Sequence, residues 1–275
     1  MIDFFIAPLE YGFMVRALIG SVLVGVMCPL VGAYVVTRNL AFMGDALAHA
    51  VLPGMVLGFI VGFNPAIAAV PTGVSVAVLV RVISRRAGLS TDTSIGILFA
   101  AMFALGLVML ARATRATQIG VNLEDLLLGQ ILGISPTGIY VSLGITAIVI
   151  LGLFALHHWL LFSSFDPVGS QVVGKRTSII DYVFLVILAL VIVIGIQAAG
   201  VILVMAMLVT PAATAYLLVR RFVTMMIVAA ALGTLAAVAG LYISYHFNLT
   251  AGPAMTLVAT GIFVLAILFK RRAPV

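Results

Sequence analysis

The sequence predicts an all-α fold, a polytopic transmembrane helical bundle of about eight to nine spans. Apolar residues make up 64% of the chain and charged residues only 8%, whereas soluble domains carry about 25% charged residues. Apolar stretches of about 20 residues, enough to cross a hydrocarbon layer of about 30 Å, recur along the chain. We therefore expect one transmembrane domain spanning residues 1–275, with lipid as its surrounding solvent.

Nine stretches are long and apolar enough to be spans, with boundaries good to a few residues. They cover residues 12–37, 41–62, 65–86, 92–111, 136–158, 179–197, 199–219, 223–246 and 253–270. Between 179 and 219 the pattern fits either two full spans joined by a tight turn near Gly195 to Gly200, or one span with a broken or re-entrant partner.

The basic residues predict the orientation, because short cytoplasmic loops accumulate lysine and arginine. An external N-terminus and a cytoplasmic C-terminus put most of them inside: Arg38, Arg81, Arg85, Arg86, Lys175, Arg176, Arg220, Arg221, Lys270, Arg271 and Arg272. The net charge of +6 then follows from topology, and we expect no nucleic-acid partner.

Two loops are long enough to carry structure of their own. The external one, residues 112–135, mixes polar residues with an apolar stretch too short to span, and it predicts a re-entrant or interfacial helix, or a plain surface cap. The cytoplasmic one, residues 163–178, predicts a short helix with Asp166 as its cap, Pro167 in its first turn and Gly174 as its stop.

The cytoplasmic loop also contains a misleading pattern. Gly169 to Lys175 has the spacing of a phosphate-binding loop, but Arg176 stands where such a loop needs serine or threonine to hold magnesium. No buried strand precedes it. We therefore expect no nucleotide site in this chain, and if ATP powers its function, the ATPase is another polypeptide.

Asp45 and His49 are the most informative residues. They are four positions apart inside an apolar segment, so a helix presents both side chains on one face. An ionisable group inside a membrane segment costs about 2.5–3.5 kcal/mol by insertion scales, and its default interpretation is functional. The pair predicts a cation site, with an Asp–His hydrogen bond that only fastens two helices as the alternative.

The donor types favour a divalent transition metal. Carboxylate oxygen with imidazole nitrogen suits manganese, iron or zinc, whereas calcium and magnesium prefer oxygen alone. His246, at the outer end of the eighth span, and Gln197, near an outer turn, are further candidate ligands. Each also has a plain structural interpretation. His246 can be read as an ordinary histidine at the membrane interface, and Gln197 as a hydrogen-bond partner for backbone groups at an interrupted helix.

The block from Gly44 to Gly54 resembles a signature in the second helix of the permeases of ATP-binding-cassette importers for manganese, zinc and iron. A second block, Gly200 to Val204 followed by Thr210 to Ala215, also matches, and the resemblance covers the whole chain. Asn248 stands where many relatives have an acidic residue, so the resemblance supplies no ligand there.

The resemblance implies a transporter subunit of the bacterial cytoplasmic membrane rather than an enzyme. It implies a permease homodimer with a metal path at its interface, two cytosolic ATP-binding subunits, and an extracytoplasmic metal-binding protein. Asp45 and His49 match positions that line the path. Residues 166–176 match the helix that couples to the ATPase, with Asp166, Pro167, Gly174, Lys175 and Arg176 as the candidate coupling residues. The transported metal is the only metal expected, with no bound cofactor.

Two other classes use similar residues. A secondary, proton-coupled cation transporter could employ Asp45 and His49 as a proton relay, but the sequence offers no paired acidic residue on another span. An intramembrane metalloprotease needs His-Glu-x-x-His, and the pattern here is Asp-x-x-x-His, which lacks the catalytic glutamate.

Overall fold

The structure is a computed structural model and describes residues 7–63, 65–117, 136–166, 169 and 176–269. These residues form helices joined by short turns. A short 3₁₀ turn at Ala7–Glu10 comes first. The α-helices are α1 (Gly12–Thr37), α2 (Ala41–Ala50), α3 (Leu52–Val61), α4 (Pro65–Ala87), α5 (Thr91–Thr117), α6 (Pro136–Phe165), α7 (Arg176–Ala199), α8 (Val201–Leu218), α9 (Phe222–Phe247) and α10 (Ala251–Phe269).

Nine segments of these described residues are long and apolar enough to cross a membrane, α2 and α3 together forming one of them. The predicted all-α membrane fold is therefore confirmed. Helices suit lipid because every backbone group finds its partner within the segment. Two helices extend beyond the ends of their predicted spans: α5 continues to Thr117 and α6 to Phe165. Residues 118–135, most of the predicted external segment, lie outside the described residues.

The second predicted span is interrupted at Val51, which separates α2 from α3. Pro53 gives the physical reason, because proline has no backbone N–H and its ring crowds the carbonyl four residues before it, that of His49. Gly62 ends α3 in the left-handed conformation, with φ 77°. The helix that carries Asp45 and His49 is thus a short one that ends directly after the pair.

The two alternatives for residues 179–219 are resolved in favour of two helices. α7 ends at Ala199 and α8 begins at Val201, so Gly200 alone joins them. Its φ of 82° lies in the left-handed region, which glycine adopts without steric penalty. Both helices reach the length of a membrane span.

The described helices fall into two compact units. The first unit contains α1, the first half of α6, and α8, α9 and α10. In it α1 packs against α8 and α9, and both of these pack against α10. Small residues allow the backbones to approach closely: a Cβ at Gly25 would stand 3.0 Å from the Gly233 carbonyl, and one at Gly32 would overlap the Leu208 carbonyl.

The second unit contains α2, α3, α4, α5, the end of α6 and most of α7. In it α5 packs against α2, α3 and α4, and α3 packs along α4. Gly54 on α3 lies directly against Thr72 and the Ala68 carbonyl of α4. Gly106 on α5 meets Leu52 of α3 in the same way. These contacts fix the helices around α2.

Candidate metal site

Asp45 and His49 lie one turn apart on α2, and their side chains meet. His49 Nε2 lies 3.6 Å from Asp45 Oδ1. The flanking residues Ala46, Leu47 and Ala48 are buried, so they fasten the opposite side of α2 to its neighbours. The predicted pair of donors on one helix face is present.

The two polar side chains are more open than the residues around them. The Asp45 side chain is 46% exposed and that of His49 is 24% exposed within the single chain. Bare lipid is a poor environment for an ionised carboxylate, so this face of α2 needs polar surroundings or a protein partner. The two polar side chains therefore lie on the part of α2 that its neighbours within the chain leave open.

Two aromatic rings of α5 hold the His49 imidazole from the side. Its ring centroid lies 5.8 Å from that of Phe99 and 5.4 Å from that of Phe103, both in edge-on geometry. The two phenyl rings are themselves stacked, with centroids 5.8 Å apart and an angle of 14° between their planes. The imidazole is thus confined on its apolar side, while the Asp45 side stays open.

The sequence does not predict this aromatic wall, because phenylalanine in an apolar span is ordinary. The only available signal is the spacing of Phe99 and Phe103, which puts both rings on one face of α5. That spacing does not say which helix the face contacts. Phe103 also packs against the buried cluster formed by Leu52, Val56, Leu110 and Ala113.

Within the described part of the chain, no group of three or more His, Cys, Asp or Glu side chains gathers in a geometry that fits a metal ion. The pair brings together two possible donor atoms, one carboxylate oxygen and one imidazole nitrogen. Divalent first-row metals take four to six ligands. Two donors alone are fewer than such an ion requires.

The other two candidate ligands lie on other helices. His246 lies in the last turn of α9, in the first unit, and its ring is 5.2 Å from that of Tyr245 in edge-on geometry. Gln197 is in the last turn of α7, and its side chain lies outside the described residues. Their role as ligands stays a prediction.

The predicted cap of the cytoplasmic segment is present. The backbone N–H of Gly169 donates to Asp166 Oδ1 at 2.7 Å, the bond that a helix cap makes to the third residue after it. A Cβ at Gly169 would collide with the same carboxylate, so glycine permits this close approach. Pro167, Gly174 and Lys175 lie outside the described residues, as does the side chain of Arg176, which begins α7.

Comparison with known proteins places these features in a family context. Residues 10–270 match the ABC 3 transport family. The chain is 41% identical to the manganese transport system membrane protein MntC of Halalkalibacterium halodurans, covering 97% of this chain and 90% of that one. It is 37% identical to the manganese import system permease protein ScaB of Streptococcus gordonii, over 97% and 95% of the two chains.

A third relative is the chelated iron transport system membrane protein YfeD of Yersinia pestis, 35% identical over 98% of this chain and 89% of that one. Among solved structures, the fold resembles PsaBC from Streptococcus pneumoniae in complex with Fab, with a TM-score of 0.86, 34% identity, and coverage of 100% of this chain and 97% of that one.

Proposed function

Since this chain belongs to the ABC 3 transport family, we propose that it is the membrane-spanning permease of an ATP-driven importer for a divalent transition metal, with manganese as the principal substrate. The observation that carries this proposal is the Asp45–His49 pair, open on one side and walled by aromatic rings on the other. The family already makes the chain a multi-pass permease subunit of the bacterial cytoplasmic membrane.

The choice of metal follows from the donors and from the relatives. One hard carboxylate oxygen and one imidazole nitrogen suit Mn²⁺, Fe²⁺ and Zn²⁺. Relatives over nearly the full chain are named for manganese and for chelated iron. Manganese binds most weakly of the three in the usual affinity order, and a path that must release its cargo needs weak binding. We therefore rank manganese first, iron second and zinc third.

A second copy of the chain supplies the remaining ligands. The 46% exposure of the Asp45 side chain is unfavourable if that face meets lipid, and is relieved if it meets the same polar face of another copy. A two-fold interface pairs the same patch with itself, so Asp45 and His49 become four protein ligands around one ion. The metal path then runs along the dimer interface.

Partner proteins power the transport and deliver the metal. Gly169 to Lys175 lacks the hydroxyl residue that a phosphate loop needs, so ATP is hydrolysed by a separate cytosolic subunit. We propose that residues 163–178, which include the Asp166 cap, dock on that subunit. An extracytoplasmic binding protein delivers the metal at the outer side, and the C-terminus lies in the cytoplasm.

Metal accumulation in cells tests the proposal. Cells that express the chain with its ATPase and binding protein are analysed by inductively coupled plasma mass spectrometry, with Asp45→Ala and His49→Ala as the test variants. Asp92→Ala, which removes an exposed carboxylate from the first turn of α5, is the matched control. We expect manganese accumulation to fall in both test variants and to persist in the control, with equal amounts of each protein in the membrane.

Two results would contradict the proposal. Unchanged accumulation in both test variants would make the pair structural. Accumulation that persists when the ATPase carries an inactivating substitution would indicate a secondary transporter instead.

A further inference from the structure

The junction of α4 and α5, residues 85–90, is exposed and carries two cations and one large apolar side chain. Arg85, Arg86 and Leu89 lie on the surface of the chain, Leu89 with 39% of its surface exposed. These six residues include no acid. A protein that covers them therefore needs an acidic group next to an apolar surface. We call residues 85–90 the basic turn.

Hydrogen bonds from both helices hold the basic turn in one shape. Ser84, in the last turn of α4, donates from Oγ to the Leu89 carbonyl oxygen at 2.9 Å. At the start of α5, the Ser90 hydroxyl accepts from the Thr93 backbone N–H at 3.1 Å, as a helix cap does. Gly88 reverses the chain in the left-handed conformation, with φ 65°. A surface with a fixed shape loses less conformational entropy when a partner binds to it.

The position of Leu89 points to a protein partner rather than to lipid. The residue before a helix cap commonly packs against the fourth residue of the helix, but here that residue is Ser94, which is buried and polar. Arg85 and Arg86 precede Leu89 at the end of α4, and charged side chains at a helix end mark the level of the lipid head groups. Leu89 therefore lies beyond the hydrocarbon, where an apolar surface belongs to a protein.

The basic turn lies on the same side of the second unit as both ends of the segment that connects α6 to α7. Arg81 on α4 donates from Nη2 to Asp181 Oδ2 on α7 at 3.0 Å. Ser163 on α6 donates from Oγ to Asp181 Oδ1 at 3.1 Å. Arg81 is six residues, about 9 Å, from the end of α4, and Asp181 is five residues, about 7.5 Å, from the start of α7. Ser163 is two residues from the end of α6. These three helix ends are therefore neighbours.

The connecting segment alone is small for a stable interface. Specific protein interfaces use about 20–30 residues on each side, and residues 163–178 number only sixteen. The six residues of the basic turn bring the surface into that range. The proposed orientation places both elements in the cytoplasm, where the ATP-binding subunit lies.

We propose that the basic turn is a second docking element for the cytosolic ATP-binding subunit, with Leu89 in an apolar pocket of that subunit and Arg86 facing its acidic side chains. This inference rests on the proposed function, which supplies the ATP-binding subunit as the partner. The turn and the segment between α6 and α7 then contact one continuous surface of the subunit.

Site-specific cross-linking tests the contact. The single cysteine of the chain, Cys28, is fully buried in α1, so a cysteine introduced at position 89 can be labelled selectively with benzophenone maleimide. Labelled Leu89→Cys permease is assembled with its purified ATPase in phosphatidylcholine nanodiscs, irradiated and analysed by mass spectrometry. We expect an adduct between position 89 and the ATPase.

Arg221→Cys is the matched control for the cross-link. Arg221 is also an exposed arginine in a short turn between two helices, and it is predicted on the same side of the membrane, but it belongs to the first unit. We expect it to give little or no ATPase adduct.

Two further variants measure what the contact contributes to binding. Leu89→Ala and Arg86→Glu should each raise the Kd between permease and ATPase about ten-fold, the effect of changing one well-buried residue of an interface. Arg221→Glu changes the net charge by the same amount as Arg86→Glu and should leave Kd unchanged. Kd is measured by biolayer interferometry on immobilised nanodiscs, with and without phosphatidylglycerol.

Three results would overturn the inference. Equal ATPase adducts at positions 89 and 221 would show only general proximity, and a wild-type Kd in Leu89→Ala would show that Leu89 has no pocket. An effect of Arg86→Glu that appears only with phosphatidylglycerol would assign the arginine to anionic lipid. Failure of the proposed function is distinguishable, because the wild-type permease would then not bind the ATPase in either lipid.

Discussion

Replacing Gly54 with alanine tests the contact that holds α3 on α4. The added Cβ would stand 2.8 Å from Thr72 Cβ and 2.9 Å from the Ala68 carbonyl oxygen, and real Cβ atoms essentially never come within 3.0 Å of such atoms. Thr72 can rotate its hydroxyl away, but its Cβ and the Ala68 backbone move only if the helices separate. Overpacking of this kind costs about 1–3 kcal/mol.

The cost converts to a thermal shift. In a chain of this size 1 kcal/mol corresponds to about 2–4 °C, so we expect Gly54→Ala to lower Tm by about 2–12 °C. The assay is thermal unfolding of the purified permease in detergent, followed by the fluorescence of its single tryptophan, Trp159.

Gly96→Ala on α5 is the matched control. A Cβ at Gly96 meets nothing within 4 Å, and alanine is the better helix former by about 1 kcal/mol. We expect its Tm to equal or exceed that of the wild type. If Gly54→Ala and Gly96→Ala both have the Tm of the wild type, the close approach of α3 and α4 is refuted.

Two further variants probe the site and the cytoplasmic segment. Phe99→Leu removes one of the two rings that confine His49, a contact worth about 0.5–1.5 kcal/mol, so the half-saturating Mn²⁺ concentration for uptake should rise about 2- to 10-fold with little change in maximal rate. An unchanged half-saturating concentration would show that the ring does not position the imidazole. Asp166→Ala removes the cap on Gly169, a loss of about 0.5–2 kcal/mol, and should weaken ATPase binding in a pull-down, whereas Asp166→Asn keeps an acceptor and should bind like the wild type. Equal binding by both variants would argue against a coupling role for the cap.

The spans were predictable because a backbone in lipid must satisfy its hydrogen bonds within the protein, which few structures allow. An apolar stretch of sufficient length must be a helix there, so the nine spans follow from residue order alone. The interruption at Val51 was not predicted, because residues 41–62 are apolar without a gap in hydropathy and only the structure shows where the helix ends before Pro53. Helix ends were less predictable. α6 runs on to Phe165 because Leu160, Leu161 and Phe162 are again apolar after the two polar histidines, His157 and His158, at which the predicted span stops.

The Asp45–His49 pair was predictable because its two members are on one helix. The Arg81–Asp181 pair was not, because its members are 100 positions apart and their meeting depends on how α4 and α7 pack. The sequence contained only a partial indication of this pairing. Asp181 is an acid just inside a predicted span, and Arg81 lies near the same predicted side of the membrane. Phe99 and Phe103 carried no such signal, since apolar side chains give no hint of which neighbour they face.

The most direct test of the central claim is whether the nitrogen of His49 binds the transported ion. Mn²⁺ is added to the purified permease, and electron spin echo envelope modulation is used to detect ¹⁴N coupled to the bound manganese. Wild type should show this coupling, His49→Gln should bind Mn²⁺ more weakly and without it, and Asp45→Asn should bind little Mn²⁺. If the ¹⁴N coupling survives in His49→Gln, or Asp45→Asn binds Mn²⁺ like the wild type, Asp45 and His49 are not the metal ligands and the account is contradicted.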